Sequence, residues 1–293
     1  MNRTLLAPLL LLGAAGALSA LDHRFIYAPL EVGQGAAQAE RFFGIEAQLK
    51  SKALEDTWVY ANDATLGVNA EGRVYGLGLG LLTDWGFGQS DDRSRPGERT
   101  NPGELLRLEG RVDWAIEIRH PEDSSIPLLQ IIPKFRYITY PNQRDIFTPF
   151  YNNWLKERQR WVGLDLWYAA PIEGLEVGFG VEQNISSEWR ATRAGLGLRE
   201  FIQYNAVDLA FWQKVGAADA EYRDVVGGER KSGFTTADVG GRVTMPLFLE
   251  ELFVFGELLI TYWLDSDIRD HRAAAGEDRG DVVLAVGISW MPD

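Results

Sequence analysis

The sequence predicts an all-β protein, a transmembrane antiparallel up-and-down β-barrel of about 12 strands. Its clearest strand is residues 106–119, where every second residue is apolar or glycine and nearly all the others are charged. Successive side chains of a strand point to opposite faces, so this strand has one apolar and one ionic face. An ordinary strand has roughly 5–6 residues, whereas a tilted strand needs about 9–11 residues to cross a bilayer. The same alternation recurs along the chain, between connections that are alternately long and short.

The other predicted strands repeat this alternation with different regularity. Arg41–Lys50 and Leu175–Asn184 are regular, whereas residues 57–69, 199–212 and 218–226 are weaker. The total is even, as in bacterial single-chain barrels. The full set is 41–50, 57–69, 73–85, 106–119, 128–140, 159–168, 175–184, 199–212, 218–226, 232–245, 251–264 and 281–290.

The connections predict which end of the barrel each one occupies. With both termini in the periplasm, turns at the periplasmic end are short and the loops at the other end are long. The long polar connections are 86–103, 141–158, 185–198 and 265–280, and two briefer outer ones are 51–56 and 227–231. The short connections are 70–72, 120–127, 169–174, 214–217 and 246–250. A soluble β-sandwich has no reason to sort its loops in this way.

Two segments have a helical alternative. Residues 247–264 are apolar but include Glu250, Glu251 and Glu257. A charge at the centre of a membrane-spanning helix costs about 2.5–3.5 kcal/mol, so two strands joined at 246–250 are favoured over such a helix. A buried amphipathic helix stays open as the alternative. Residues 186–198 are assigned to a loop, with a short helix as the alternative.

The N-terminus predicts export. Residues 1–19 have the features of a cleaved secretory signal peptide: Arg3, an apolar core at 5–12, and small residues before a cleavage site after Ser19. A single membrane anchor is the alternative, but the apolar stretch is short for a spanning helix of roughly 20 residues. Residues 20–293 then form a single barrel domain. Because the chain has no cysteine, it has neither disulfides nor a lipid attached through cysteine.

Composition limits the possible partners. The formal net charge of −13 argues against nucleic-acid binding, which needs a basic face. The mean hydropathy of −0.16 is low for a membrane protein with helices, but it fits a barrel whose inward-facing polar residues offset the lipid-facing apolar ones. The expected partners are outer-membrane lipid and lipopolysaccharide, together with small solutes or ions.

The three histidines give little support to an enzyme. His23 follows the predicted signal, His120 lies at a predicted periplasmic turn, and His271 lies in a long outer loop near Ser266. The barrel phospholipase and lipid A deacylases resemble one another in using a histidine and a serine near the outer rim. A serine nucleophile needs a base within hydrogen-bond reach, and neither region has a lipase-like motif. No catalytic residue is therefore predicted.

Neither a cofactor site nor a metal site is predicted. The glycines at 76, 78 and 80 lack the spacing and the strand–turn–helix context of a phosphate-binding loop. Alternate glycines, which recur at Gly178 and Gly180, either make room in the lumen or allow the strand to curve sharply. The carboxylate pairs Asp91–Asp92 and Asp265–Asp267 match no calcium loop, and solvated carboxylates are favoured.

The ionic faces of the predicted strands supply the candidate functional residues. Charges of both signs can line a water-filled pore and set its selectivity, or they can form ion pairs that plug a narrow barrel. The pattern does not decide between these two. A basic ladder that includes Arg119 is expected on adjacent strands, with an acidic wall opposite. The lumen-facing candidates are Arg107, Glu109, Arg111, Asp113, Glu117, Lys134, Arg136, Asp165, Glu176, Glu182, Asp238, Arg242 and Glu257.

The last predicted strand carries a resemblance to a known class. Val282, Leu284, Val286, Ile288 and Trp290 alternate up to an aromatic residue close to the C-terminus. This strand resembles the terminal signal by which the barrel-assembly machinery recognises bacterial outer-membrane barrels. In that class the aromatic residue is usually the last one, whereas three residues follow Trp290. The resemblance extends to the strand–loop pattern of porin-like barrels in general and to no particular family.

Together these features predict a porin-like channel in the outer membrane of a Gram-negative bacterium. We expect passive diffusion of small hydrophilic solutes through a lumen of mixed charge. The alternative is a closed barrel with a structural, adhesive or envelope-scaffold role, and a lipid-modifying barrel enzyme is the third possibility.

Overall fold

The strands close into one barrel in the computed structural model. The structure describes residues 41–55, 58–61, 64–87, 103–119, 127–141, 158–170, 172, 174–186, 190–225, 231–249, 251–274 and 278–292. The strands are β1 (Arg41–Lys50), β2 (Ala53–Glu55), β3 (Trp58–Ala61), β4 (Thr65–Val74), β5 (Leu77–Gly86), β6 (Leu105–Trp114), β7 (Ile116–Arg119), β8 (Pro127–Thr139), β9 (Arg158–Ala169), β10 (Leu175–Asn184), β11 (Thr192–Tyr204), β12 (Val207–Ala218), β13 (Gly233–Pro246), β14 (Leu252–Trp263) and β15 (Gly280–Trp290). The helices are α1 (Ala220–Val225) and α2 (Ser266–Ala274).

Every barrel strand pairs antiparallel with its neighbours. The order is β6-β5-β4-β1-β15-β14-β13-β12-β11-β10-β9-β8-β7, and β8 also pairs with β6. Because β6 and β7 are two parts of one strand interrupted at Ala115, the barrel has 12 strands. β2 and β3 form a separate hairpin. The β6–β8 pairing closes the described sheet into a continuous ring, which is what a sheet requires inside a bilayer. The predicted fold class is confirmed.

The two faces of the barrel wall differ in chemistry. Along β5 the exposed side chains are Leu77, Leu79 and Leu81, and along β15 they run from Val282 to Ile288. Large exposed apolar residues of this kind recur around the barrel, while most of the charged residues of the same strands are buried. The outer surface is therefore built for lipid and the interior is polar. Among the described residues, no helix is long and apolar enough to cross a membrane.

Most predicted strands agree closely with the observed ones. Arg41–Lys50 and Leu175–Asn184 have the predicted bounds, and residues 106–119 correspond to β6 and β7. The apolar segment 247–264 contains the β13–β14 hairpin, in which the Leu247 amide donates to the Leu252 carbonyl at 2.8 Å. Neither helical alternative for this segment is observed.

The first predicted turn was misplaced. β4 continues to Val74, so the turn lies at Tyr75 and Gly76 and not at 70–72, and predicted strand 57–69 is divided between β3 and β4. Both turn residues have positive φ, 48° for Tyr75 and 83° for Gly76. Gly72 suggested a turn, but its position within the β1–β4 and β4–β5 ladders makes it an ordinary strand residue.

The region 185–226 was also assigned wrongly. Residues 192–198, predicted as part of a loop, belong to β11, and residues 207–218 form β12, so the turn predicted at 214–217 lies inside a strand. The turn between them is at Asn205, which has a φ of 56°. Residues 220–225, predicted as part of a strand, form α1. The 205–206 turn has neither glycine nor proline, so its one sequence signal was Asn205, a residue type that tolerates the left-handed conformation.

The sorting of the connections by length holds in the structure. Turns at 75–76, 170–174, 205–206 and 247–251 lie at one end, which we call the inner end. The connections at the outer end are longer, and they include the β2–β3 hairpin, α1 and α2. Each helix begins at an aspartate cap, since Asp219 accepts from the Tyr222 amide at 2.9 Å and Asp265 accepts from the Asp267 amide at 2.9 Å.

Candidate functional site: the barrel interior

Charged side chains fill the interior of the barrel. Of the candidates, Arg119 is the most exposed and lies at the inner end, and Glu117, Glu176 and Glu257 are partly exposed. The remaining candidates are buried on the inward-facing side of their strands: Arg107, Glu109, Arg111, Asp113, Lys134, Arg136, Asp165, Glu182, Asp238 and Arg242. Because closely packed charges of both signs occupy this space, their pairing determines what the interior can do.

Glu182 on β10 is the centre of a large ion-pair network. Its carboxylate lies 3.0 Å from Lys134 Nζ, 3.1 Å from Arg136 Nη1 and 2.7 Å from Arg193 Nη2. Lys134 also binds Asp165 at 2.9 Å. Three cations thus share one buried carboxylate through charge-assisted hydrogen bonds, which are stronger than bonds between neutral groups.

The network continues onto β6. Arg136 Nε donates to Glu109 Oε1 at 2.7 Å, and Arg107 also pairs with Glu109. Continuous ionic contacts therefore run from β6 through β8 to β11. We call this part of the barrel, β6 and β8–β11, the network wall.

Inward-facing glycines make these contacts possible. Glu182 and Lys134 meet over Gly163 on β9, where an added Cβ would lie 2.6 Å from Glu182 Cγ and 2.8 Å from the Val181 carbonyl oxygen. Gly78 on β5 has the same role beneath Arg73 of β4 and Asp113 of β6, which bind each other at 2.8 Å. Gly163 and Gly78 therefore make room for side chains that pair across an intervening strand.

A second part of the barrel has a different organisation, and we call β12–β15 and β1 the bridge wall. Arg242 on β13 reaches past β14 and β15 to Glu46 on β1, with Nη1 3.3 Å from Oε2. Its guanidinium carbon lies 3.8 Å from the centre of the Phe255 ring. That ring lies over Gly287, whose added Cβ would be 2.6 Å from Phe255 Cζ. One arginine thus forms a bridge across part of the interior.

Arginines also stack on inward-facing tryptophans. Arg193 lies 4.4 Å from the Trp161 ring, and Arg199 lies 3.9 Å from the Trp167 ring while it pairs with Glu176. Stacking and ion pairing together restrict each guanidinium to one orientation. The sequence candidates did not include Arg193 or Arg199, because they fall where the loop 185–198 and an irregular strand were predicted. The signal that could have identified them was the alternation of β11, whose inward face carries Arg193, Gly195, Gly197 and Arg199.

The expected separation of a basic ladder from an acidic wall is not observed. Arg136 and Lys134 contact Glu182 directly, and Asp165 lies beside Lys134. The reason is topological: β9 and β10, which carry the acids, follow directly after β8, which carries the bases. The opposite charges therefore neutralise one another at contact distance and do not face each other across the lumen.

Several buried polar atoms are not satisfied by the protein. Thr236 Oγ1, Ser289 Oγ, Gln159 Nε2, Asn184 Nδ2 and Trp167 Nε1 have no hydrogen-bond partner among the described residues. Burying such groups without a partner costs roughly 1–3 kcal/mol each, so interior polar atoms of this kind are suited to contact with water or a polar solute.

The residues considered for chemistry do not form a site in the described part of the chain. His23, His120, Asp91 and Asp92 lie outside the described residues, and so does the side chain of His271. No group of three or more possible metal ligands occurs among the residues that the structure describes. Of the two aspartates at 265 and 267, Asp265 forms an ion pair with Arg223.

Comparison with known proteins identifies the fold. The NanC porin superposes with a TM-score of 0.50 at 8% identity, over 85% of this chain and 98% of the porin. An outer membrane channel from Pseudomonas putida F1 gives a TM-score of 0.45 at 13% identity, over 93% and 100% of the two chains. Neither a model of a known family nor a curated protein sequence matches. The likeness to the NanC porin shows that the two proteins share a fold, a closed antiparallel β-barrel, and the apolar outer face of this chain fits a barrel surrounded by lipid.

Proposed function

We propose that the protein is a narrow outer-membrane channel for small hydrophilic solutes, which diffuse passively through the barrel. The observation that carries this proposal is the polar interior of the closed barrel, from Ser289 and Glu46 near the inner end to Thr236 near the outer end. A barrel that served only as a scaffold gains more stability from an apolar core, since isolated or incompletely paired buried charges are costly. Polar atoms without protein partners further support contact with water.

The ion pairs then form the constriction of the channel. Arg242 and Glu46 narrow the interior from the bridge wall, and the Glu182 network covers the network wall. Because both signs of charge are present at contact distance, a passing ion or solute can exchange one partner for another. Small size and polarity, and not one sign of charge, are therefore the expected requirements for passage.

A planar-bilayer measurement tests this function. We expect discrete conductance steps from the purified protein, and larger steps from Arg242→Met, because this substitution removes the bridging guanidinium but keeps an apolar contact with Phe255. Arg158→Met is the matched control, since it removes an equal charge from an exposed position at the start of β9. The control should conduct like the wild type.

A closed barrel with a structural or adhesive role is the second candidate. It is favoured by the burial of the paired side chains, since Arg107, Asp165 and Glu182 are almost inaccessible. If neither the wild type nor Arg242→Met conducts after correct insertion, the channel proposal is wrong and this candidate replaces it.

Export and assembly are part of the same proposal. Residues 1–19 serve as the cleaved signal, and β15 serves as the recognition strand for the barrel-assembly machinery. The position of β15 supports this role, because it closes the barrel by pairing with β1, and Trp290 contacts Phe43 with ring centres 6.3 Å apart. Lipid and lipopolysaccharide surround the apolar outer face.

A further inference from the structure

The two helices of the outer connections extend over the interior. α1 follows β12, yet its Tyr222 ring lies 6.3 Å from the ring of Trp161. Trp161 belongs to β9, which is separated from β12 by β10 and β11. Tyr222 and Trp161 are both buried, and Trp161 faces inward with Arg193 stacked on it. α1 therefore crosses the outer end of the network wall.

α2 covers the outer end of the bridge wall. Its Arg272 lies 4.6 Å from the ring of Trp263 on β14 and binds Asp281 on β15 at 2.8 Å. Lys52, which follows β1, binds the same aspartate at 2.6 Å. Ile268 of α2 is completely buried. These contacts hold α2 against inward-facing residues of β14 and β15.

A group of ion pairs joins the two helices, and we call it the clasp. Arg223 of α1 pairs with Asp265, the cap residue of α2, and also donates to the Lys231 carbonyl at 2.6 Å. Lys231 in turn lies 3.6 Å from Asp267. Arg223 and Asp265 are both buried. The clasp therefore connects the outer connection after β12 to the outer connection after β14, and it holds α1 and α2 together over the mouth.

We propose that α1 and α2 form a gate over the outer mouth, and that the Arg223–Asp265 clasp holds this gate closed. The proposal rests on the proposed channel function, for which the gate sets access from outside the cell. Opening separates the buried arginine from its carboxylate and moves both into water, while Asp219 and Asp265 keep their capping bonds within each helix. The solutes admitted are the small hydrophilic ones that the polar interior accepts.

Asp265→Asn is the informative variant. Asparagine caps a helix about as well as aspartate, so α2 is kept, but the charge that holds Arg223 is lost. Because the natural chain has no cysteine, a single introduced thiol reports access to one position. Thr236→Cys places this thiol on the inward-facing side of β13 near the outer end, and Ser289→Cys places one on β15 near the inner end. We call these two the outer thiol and the inner thiol, and both are measured in lipid nanodiscs with a charged methanethiosulfonate reagent.

We expect Asp265→Asn to raise the reaction rate of the outer thiol roughly tenfold, because a broken buried ion pair shifts the equilibrium toward the open gate. The rate of the inner thiol should not change. Asp270→Asn is the matched control, since it removes the same charge from an exposed position on α2 and should leave both rates unchanged.

Two other outcomes would contradict the proposed gate. An unchanged rate of the outer thiol shows that the clasp does not close the mouth, and equal increases at both thiols show a general loosening of the barrel. Thiol access is independent of ion flow. A barrel that never conducts but shows the selective increase at the outer thiol would therefore contradict the channel while it supports the gate.

Discussion

The network wall and the bridge wall differ in how their buried charges are paired. In the network wall, Glu182 shares three cations, and two of them, Lys134 and Arg136, each contact a further acid. In the bridge wall, the Arg242–Glu46 pair spans the distance from β13 to β1, supported by the Phe255 ring. The comparison shows that one barrel can combine a side on which several strands share their ion pairs with a side on which one pair spans the distance between distant strands.

The largest expected effect comes from removing the central carboxylate of the network wall. Glu182→Gln leaves Lys134, Arg136 and Arg193 without their shared partner, and breaking a buried ion pair costs about 3–5 kcal/mol. Glu46→Gln is the matched change in the bridge wall. It strands only Arg242, which keeps the Phe255 ring and lies 3.9 Å from Glu257, so we expect a loss of about 1–3 kcal/mol.

Urea unfolding in lipid vesicles, followed by tryptophan fluorescence, measures both free energies. Equal losses for the two variants would contradict the distinction between the walls. In a salt gradient, Glu182→Gln should also move the reversal potential toward anion preference, because it removes a negative charge from among three cations.

A smaller effect is expected from filling the space above the inward-facing glycines. Gly163→Ala in the network wall and Gly287→Ala in the bridge wall each introduce a methyl group too close to neighbouring atoms. We expect each to lower the free energy of unfolding by about 1–3 kcal/mol. Gly110→Ala and Gly256→Ala are the controls, because an added Cβ there has no atom within 4 Å. The same unfolding measurement applies. If the inward and the outward glycine substitutions lower the free energy of unfolding by the same amount, the inward-facing glycines do not make room for the cross-strand ion pairs.

The smallest effect is expected at the edge of the network wall. Arg119 is 3.4 Å from Glu117, and its side chain is 44% exposed. An ion pair in contact with water contributes little, so Arg119→Ala should change the free energy of unfolding by less than about 1 kcal/mol. A loss as large as that of Glu182→Gln would mean that the network extends to the inner rim as one unit.

Sequence reasoning succeeded where the strand period was strong. Residues 106–119 alternate along the sequence, and the structure buries the charges from Arg107 to Asp113 while it exposes the apolar residues from Val112 to Ile118. It failed at 185–226, where glycines weaken the alternation of β11 and where Asn205 adopts a left-handed conformation without any glycine or proline nearby. Two strands were misplaced there, and Arg193 and Arg199 were missed with them.

The sequence by itself determined the barrel class, the strand number and the two faces of the wall, because a period of two residues and the length of each segment are local properties. The tertiary structure decided which charges meet. Arg242 and Glu46 are far apart in the chain, Glu182 collects cations from β8 and β11, and Arg223 joins two outer connections. Such contacts depend on closure of the barrel and on the glycines beneath them, and alternation along one strand carries no information about either.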